Sequence, residues 1–356
     1  MQLSEPPAPP QPTLAFSGLG KLGRFGNQCF QYAFLRSVAR VSGAQYECPP
    51  WIGQRLFGLN DPPVTERRRP LIETSEGKTT WFDVNPEFIA FVERHAGMKA
   101  SRVRATALRD GVESGDLVGF FECHSSHYAP HRAFIRSLFR PAPSLSRWIE
   151  EPMEVLRSRG RTVVAIHLRY GDFRWLPQLP FTLITPPERW VEWLDRNWSS
   201  LDDPVLYVCS DSLDAVIGAF AKYNPVTLRD FHEPAPAEVG GSEADLYRDF
   251  HVLTQSDVTC ISNSSFSFFA SMLNERGTRF IRPQWDTEER FIEYDPWNSP
   301  PKLLAPNRNG VRSVSSVLKS AHDRGGATEV LKTLFGYLPV GVALMAKARA
   351  GLAIGS

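Results

Sequence analysis

The sequence predicts an α/β protein with doubly wound, parallel β-sheets, and two observations support this fold class. Three short β-branched apolar runs, at 163–166, 205–209 and 258–261, end abruptly in polar clusters, as buried parallel strands do. Helix-like segments alternate with these runs, which favours helices on both faces of a parallel sheet. Because ligands of such sheets bind outside the carboxyl ends of the strands, we expect a ligand between residues 167 and 266.

The first half opens with a strand, a turn and a helix. An apolar run at 13–16 predicts the strand, and the glycines of 18–26 predict the turn. Apolar side chains then recur four residues apart and predict a helix over about 27–40. Further on we predict an irregular insertion, a strand and a helix, at 48–80, 117–121 and near 134–139.

In the second half, helices alternate with the three apolar runs. The aromatic and Pro-rich stretch at 285–301 predicts a loop, and a mildly amphipathic tail at 329–349 is interrupted by Pro339. The predicted helices lie near 187–198, 213–223 and 242–256 and from 265 onward.

The length of the chain predicts more than one domain. One hydrophobic core rarely grows to 356 residues, and the prolines of 141–143 mark a boundary region. We predict a Pro-rich disordered start, two Rossmann-like domains and a helical tail that packs on the body, at 1–12, 13–155, 156–310 and 311–356.

Composition argues against several classes of function. A formal net charge of +1 gives no electrostatic footprint for nucleic acid, so an anionic ligand must be held locally. The five cysteines are odd in number and widely spaced, which indicates neither a disulfide framework nor a zinc site. No signal peptide is apparent, and no apolar run approaches the ~18 residues of a membrane span. We therefore expect a cytoplasmic protein, with weak peripheral membrane contact through the tail as the minority alternative.

A glycine run between the first strand and the first helix offers one interpretation. Gly18, Gly20 and Gly23 fit the pattern G-x-G-x-x-G, and Glu47 follows about 20 residues later, as in NAD(P)-dependent oxidoreductases. A pyrophosphate cradle does not need the arginine and the Asn-Gln pair found at the same turn. This disfavours the oxidoreductase, which is kept as an alternative.

Four motifs in order along the chain favour another interpretation. They are GRFGNQCFQYA, HLRYGD, SD and SNSSFS, at 23–33, 167–172, 210–211 and 262–267. With these four segments the sequence resembles the α-1,2-fucosyltransferase family (glycosyltransferase family 11-like) and, more distantly, protein O-fucosyltransferases.

The resemblance implies a GT-B fold, in which two Rossmann-like domains face each other across a cleft. The first domain would form the acceptor side, and the second would bind the nucleotide sugar. The implied reaction is an inverting, metal-independent transfer of L-fucose from GDP-fucose to a galactose-terminated glycan, with an α-1,2 linkage and no cofactor.

The residue types of the motifs suit a departing diphosphate. The sequence has no Asp-x-Asp pair to hold a divalent metal, so a cation and helix-end donors must stabilise the leaving group. Arg169 offers a planar fork of charged donors just after a strand. Ser264, Ser265 and the amide of Phe266 open a helix whose positive end favours an anion.

Other donor-binding residues follow from the resemblance. It implies that His167 and Asp249 contact the guanine base, and that Asn263 belongs to the donor-binding turn. A carboxylate suits guanine because it accepts hydrogen bonds from both N1 and N2 of the base. An exposed helix carboxylate is the alternative for Asp249.

The remaining candidates have two interpretations each. By resemblance, Arg24 and Asn27 face the fucose and the attacking hydroxyl, but Asn27 also suits a helix N-cap. Asp172 either orients Arg169 or holds the loop, and Asp211 is a further candidate of the donor site.

One residue departs from the family pattern. Tyr170 stands where a second arginine is usual, so one guanidinium serves alone or another cation replaces the missing one. Glu122 follows the strand at 117–121 and is an acceptor contact, a base or a surface carboxylate. No base is assigned, and a non-catalytic nucleotide- or carbohydrate-binding relative stays open.

Overall fold

The computed structural model describes residues 11–75, 86–171, 173, 183–237, 239–240, 242–284 and 290–303. Three predictions lie outside these residues, namely Asp172, most of the Pro-rich start and the helical tail at 311–356. Within the described ranges, no helix combines the length and the hydropathy needed to cross a lipid bilayer.

Five parallel strands form the first sheet, in the order β2-β1-β5-β3-β4. The strands β1 to β5 are Thr13–Ala15, Gln45–Glu47, Pro70–Glu73, Ser101–Val103 and Gly115–Val118. The helices α1 to α5 of this half are Phe25–Ser42, Ile52–Phe57, Pro86–Ala96, Ala107–Asp110 and Arg132–Leu138. This half is therefore the parallel α/β unit that the strand, turn and helix pattern predicted.

The prediction of an irregular insertion at 48–80 is wrong in part, because β3 lies there as an inner strand of the sheet. Its four residues are all buried, and Pro70 occupies the first position, where a strand tolerates a missing N–H. The strand predicted at 117–121 ends earlier, at Val118, and Phe121 turns the chain with a left-handed backbone, φ +56°.

The second sheet has the order β10-β9-β8-β6-β7, and only β10 runs antiparallel to its neighbour. The strands β6 to β10 are Thr162–Leu168, Pro204–Ser210, Val258–Ile261, Arg279–Gln284 and Arg290–Glu293. The helices α6 to α10 are Ser146–Arg159, Pro187–Asn197, Leu213–Val216, Ser242–Gln255 and Ser265–Leu273. All three predicted strands are confirmed, whereas the predicted loop at 285–301 contains β10.

One hydrophobic core joins the two halves. Phe30 of α1 packs against Phe268 and Phe269 of α10, with ring centroids 6.4 and 4.9 Å apart. The helix α6 runs across the predicted domain boundary at 155, and that boundary stays a prediction. The α/β fold class with two sheets is confirmed, and the shared core brings the amino-terminal ends of α1 and α10 together.

Candidate functional site

Two helices meet at their amino-terminal ends, and a glycine makes this approach possible. A Cβ atom on Gly26, in the first turn of α1, would lie 2.4 Å from the backbone nitrogen of Phe266 and 2.6 Å from its Cα. Phe266 lies in the first turn of α10. The contact therefore joins the segment 23–33 to the segment 262–267, which are far apart in the sequence.

The turn before α1 is held by amide side chains. Gly23 has a left-handed φ of +78°, and a Cβ there would lie 2.7 Å from Cβ of Asn27. Gln28 Nε2 donates to the Gly23 carbonyl at 3.2 Å, and Gln31 Nε2 donates to the Leu22 carbonyl at 3.0 Å. Most polar residues of the first motif thus fix the turn.

Arg24, not Asn27, is the N-cap residue of α1, which differs from the capping role considered for Asn27. Asn27 lies three residues further on, and its Oδ1 accepts a hydrogen bond from the backbone N–H of Arg24 at 3.1 Å. Its Nδ2 donates to Oε1 of Glu122 at 2.5 Å. Arg24 itself is exposed, directly before the helix end.

Arg169 is oriented by Asp211, which lies after the neighbouring strand. Arg169 Nη1 is 2.7 Å from Asp211 Oδ2, and the other carboxylate oxygen accepts from the N–H groups of Tyr170 and Gly171, both at 2.8 Å. Burial alone would raise the pKa of Asp211, but the Arg169 guanidinium and these N–H groups lower it below its ordinary value. The carboxylate is thus ionised and holds both the guanidinium and its loop.

His167 is buried at the end of β6 and points to the α10 side of the sheet. Its Nδ1 lies 2.9 Å from Ser267 Oγ and 3.1 Å from Ser262 Oγ, and its ring is 5.1 Å from that of Phe266. Burial lowers the pKa of His167 to about 3. The imidazole is therefore neutral at physiological pH and fixed beside the start of α10.

Asp249 lies on α9 and accepts a hydrogen bond from the Tyr207 hydroxyl at 2.5 Å. Tyr207 and Cys209 share one face of β7, and Cys209 pairs with His167 on β6. Burial raises the pKa of Asp249 to about 8. The exposed-carboxylate interpretation of Asp249 therefore does not fit, and Asp249 lies over the same face of the sheet as His167.

Ser264 and Ser265 are nearly buried where α10 begins. Ser264 is the N-cap residue in extended conformation, and its side chain makes no capping hydrogen bond. The N–H groups of a first helical turn have no partner within the helix, so they favour an anion. Two such positive helix ends, α1 and α10, lie in contact here.

Asn263 bonds to the backbone of Leu303, and its place in the donor-binding turn stays a prediction. Its Nδ2 donates to the Leu303 carbonyl at 2.9 Å, and its Oδ1 accepts from the Leu303 N–H at 2.8 Å. Ser125 and Ser299 are bonded reciprocally as well, with Ser299 N–H donating to Ser125 Oγ at 2.9 Å. These bonds fix the segment 299–303 across the site.

Lys302 in this segment was not predicted from the sequence. Its Nζ lies 2.6 Å from Oε2 of Glu122, whose other oxygen is bonded to Asn27. The Glu122 side chain is 10% exposed, so the surface-carboxylate interpretation of this residue is not supported. A lone lysine in a Pro-rich stretch gives no local signal, and the contact depends on the fold.

The structure disfavours the nicotinamide site. Trp51 packs against Gly20, with its Cβ 3.1 Å from a Cβ built there, and fills the space that a dinucleotide would need beside this glycine. Glu47 accepts hydrogen bonds from Thr65 and Arg68, at 2.7 and 2.6 Å, instead of facing a ribose. The glycine run serves the turn and its packing.

Comparisons with known proteins agree with the resemblance. No protein-family model matches the sequence. The chain is 26% identical over 304 residues to galactoside α-(1,2)-fucosyltransferase 1 of Lagothrix lagotricha, and 25% identical over 301 residues to that of Aotus nancymaae. Each match covers 76% of this chain and 70% of the relative.

A solved structure supports the fold. NodZ α-1,6-fucosyltransferase co-crystallised with GDP matches 81% of this chain and 99% of its own, at 16% sequence identity and a TM-score of 0.50. These comparisons confirm the resemblance to fucosyltransferases and the interpretation of the chain as a glycosyltransferase. The roles of individual residues stay predictions.

Proposed function

We propose that this chain transfers L-fucose from GDP-fucose to a galactose-terminated glycan, with inversion, without a metal ion and with an α-1,2 linkage. The observation that carries the proposal is the contact of Gly26 with the Phe266 backbone, which joins two helix amino-terminal ends. Each end carries roughly half a positive charge. Together with Arg24 and Arg169 they favour an anion as strongly charged as a diphosphate.

The transfer needs charge stabilisation at the phosphate. As the bond from the anomeric carbon to the phosphate oxygen lengthens, negative charge grows on that oxygen, and the interaction with Arg169 strengthens toward the transition state. Asp211 holds the guanidinium at 2.7 Å, so little reorganisation is required. In this proposal Ser264, Ser265 and the Phe266 amide share the diphosphate. Asp172, which lies outside the described residues, keeps the supporting role expected from the sequence.

The guanine would be recognised by Asp249 and His167, which lie over the same face of the second sheet. Arg24 and Asn27 would lie toward the fucose and the acceptor. We assign Asn263 a supporting role instead of direct donor contact, because both its amide atoms bond to Leu303. We propose the corresponding roles for the two domains: residues 13–155 bind the acceptor, and residues 156–310 bind the donor.

The direct test is incubation of the full chain with GDP-fucose and a panel of terminal galactosides, followed by linkage analysis of the product. Formation of an α-1,2-fucosylated galactoside supports the proposal. If the chain binds GDP but liberates no GDP from GDP-fucose with any of the galactosides, a non-catalytic relative is favoured. Tighter binding of NADH than of GDP would favour the oxidoreductase.

A chelator should leave the rate of transfer unchanged. The proposed stabilisation of the diphosphate uses side-chain and backbone donors, so neither EDTA nor added Mg²⁺ or Mn²⁺ is expected to alter kcat by more than about twofold. The measurement is the initial rate of GDP release before and after chelation. Strong inhibition that added metal reverses would contradict the metal-free mechanism.

The affinity for GDP should rise with pH toward about 8. The pKa of Asp249 is about 8 in the free protein, and donors from guanine favour the ionised carboxylate, so binding lowers this pKa. Below pH 8, binding must therefore release a proton, and the affinity falls by up to tenfold for each pH unit. Calorimetry between pH 6 and 8.5 measures this slope.

The variant Asp249→Asn is the control for this prediction. It should bind GDP more weakly and lose the part of the slope that arises from the carboxylate, while the titration of the GDP phosphate is common to both proteins. His167, with a pKa of about 3, does not titrate in this range. Equal slopes in the variant and the wild type would contradict a contact between Asp249 and guanine.

A further inference from the structure

The proposed transfer releases a proton from the acceptor hydroxyl, and Glu122 is the carboxylate that contacts the turn carrying Arg24 and Asn27. Its Oε1 lies 2.5 Å from Asn27 Nδ2, and its Oε2 lies 2.6 Å from Lys302 Nζ. The carboxylate thus lies at the junction of α1, the end of β5 and the segment 299–303. This junction lies beside the two helix ends that favour the diphosphate.

The backbone before Glu122 is strained, and the core holds it. Phe121 has a φ of +56°, which is unfavourable for a residue with a bulky side chain. Its ring stacks on Phe34 at 4.0 Å, and its carbonyl accepts a hydrogen bond from the buried Tyr128 hydroxyl at 2.6 Å. Strain of this kind persists only where the surroundings determine it, and it is frequent at functional sites.

We infer that Glu122 is the general base of the transfer, an inference that rests on the proposed function. The acceptor O–H bond breaks as its proton moves to Glu122, and the acceptor oxygen forms its bond to the anomeric carbon of fucose. The bond between that carbon and the phosphate oxygen breaks, and its electron pair leaves with GDP. Glu122 then gives the proton to solvent, so the products are the fucoside, GDP and one proton.

The Glu122 carboxylate has more acceptor sites than these two partners, Asn27 and Lys302, occupy. A carboxylate has about four lone-pair sites, and Asn27 and Lys302 use one on each oxygen. Lys302 and Asn27 hold the carboxylate in place, and Asn27 links it to the turn that carries Arg24. Burial holds the pKa of the nearby Tyr128 well above its ordinary value, so this phenol stays protonated and does not compete as a base.

Asn27 and Lys302 are positioning residues in this arrangement. The reciprocal bonds of Asn263 with Leu303 fix the backbone next to Lys302, which gives this motif residue a supporting role. Lys302 is thus a further cation of the site, beside Arg24 and Arg169, and in this arrangement it serves the carboxylate.

The test is the variant Glu122→Gln, which keeps the shape and removes the base. We expect kcat to fall by about 10²–10⁴-fold, as is usual when a general base is removed. The Kd for GDP should stay within about twofold of the wild type, because the nucleotide does not contact Glu122. A kcat within about fivefold of the wild type, or a loss confined to the KM for the acceptor, would overturn the inference.

The pH profile separates a base from a structural carboxylate. An acid limb in the kcat–pH profile of the wild type reports the base of the transfer, and this limb should be absent from the residual activity of Glu122→Gln. Persistence of the limb would place the base elsewhere and overturn the inference. The matched control is Glu113→Gln, an exposed carboxylate before the other end of β5, which should keep both the rate and the limb.

The two levels of the proposal fail differently. If the wild-type protein releases no GDP from GDP-fucose with any galactoside, the proposed function is contradicted, and the base with it. If the wild type is active and Glu122→Gln is equally active, only the assignment of the base is contradicted.

Discussion

Replacing Arg169 with alanine should abolish fucosyl transfer while the protein stays folded. The guanidinium is the charged group that the second sheet brings to the proposed diphosphate, and loss of one such donor costs about 10²–10³-fold in kcat. The fold should survive because Asp211 keeps its hydrogen bonds to the N–H groups of Tyr170 and Gly171. Initial rates at saturating GDP-fucose, together with circular dichroism and thermal unfolding, measure both effects.

The same two strands supply a matched control. Arg161 and Asp202 form an ion pair at 2.6 Å before the opposite ends of β6 and β7, with both side chains exposed. The variant Arg161→Ala removes the same charge and an exposed ion pair from the opposite edge of the sheet, away from the proposed site, and it should retain the wild-type rate. Near-normal turnover of Arg169→Ala, or an equal loss in both variants, would contradict the assignment of Arg169 to the phosphate.

The sequence predicted the parts of this site that lie at the ends of strongly patterned strands. His167, Arg169 and Asp211 follow long buried runs, and the parallel pairing of β6 with β7 brings those ends side by side. The pairing of β6 with β8 does the same for Ser262. Position along a parallel sheet is therefore enough to group these residues from the sequence pattern alone.

The local sequence pattern did not predict two features that are stabilised by neighbouring parts of the fold, the strand β3 and the contact of Lys302 with Glu122. The strand β3 has only four residues, begins with Pro70 and is buried between β5 and β4, so tertiary packing overrides its weak propensity. The contact of Lys302 with Glu122 depends on the bonds of Asn263 and Ser125 to the segment 299–303. Neither a charge pattern nor a spacing in the sequence indicates such a contact.

The first motif shows why a pattern of glycines misleads when it is taken alone. Gly18, Gly20 and Gly23 fit a dinucleotide fingerprint, yet the decisive glycine is Gly26, which lies outside it. Its role depends on a partner backbone that lies in the second half of the chain, so no local spacing reveals it. The resemblance of the whole segment 23–33 to the family pattern located the site, and the contact with Phe266 explains why position 26 requires a glycine.

Replacing Gly26 with alanine should disrupt the junction of the two halves. The added Cβ would lie 2.4 Å from the Phe266 nitrogen and 2.8 Å from the Ser265 carbonyl carbon. These are backbone atoms of a helix, so they cannot move aside as the end of a flexible side chain can. Overpacking usually costs about 1–3 kcal/mol, and contact with backbone places this site at the upper end. We expect a lower free energy of unfolding and loss of GDP binding, because α1 and α10 must separate.

Denaturant unfolding and calorimetry with GDP check this expectation, and Gly218→Ala is the matched control. A Cβ on Gly218 meets no atom within 4 Å, so the same substitution there should leave stability and GDP affinity close to the wild type. If Gly26→Ala binds GDP normally and unfolds like the wild type, the two helix ends do not need this close approach. The contact of Gly26 with Phe266 would then not be required to join the segments 23–33 and 262–267 into one anion-binding site.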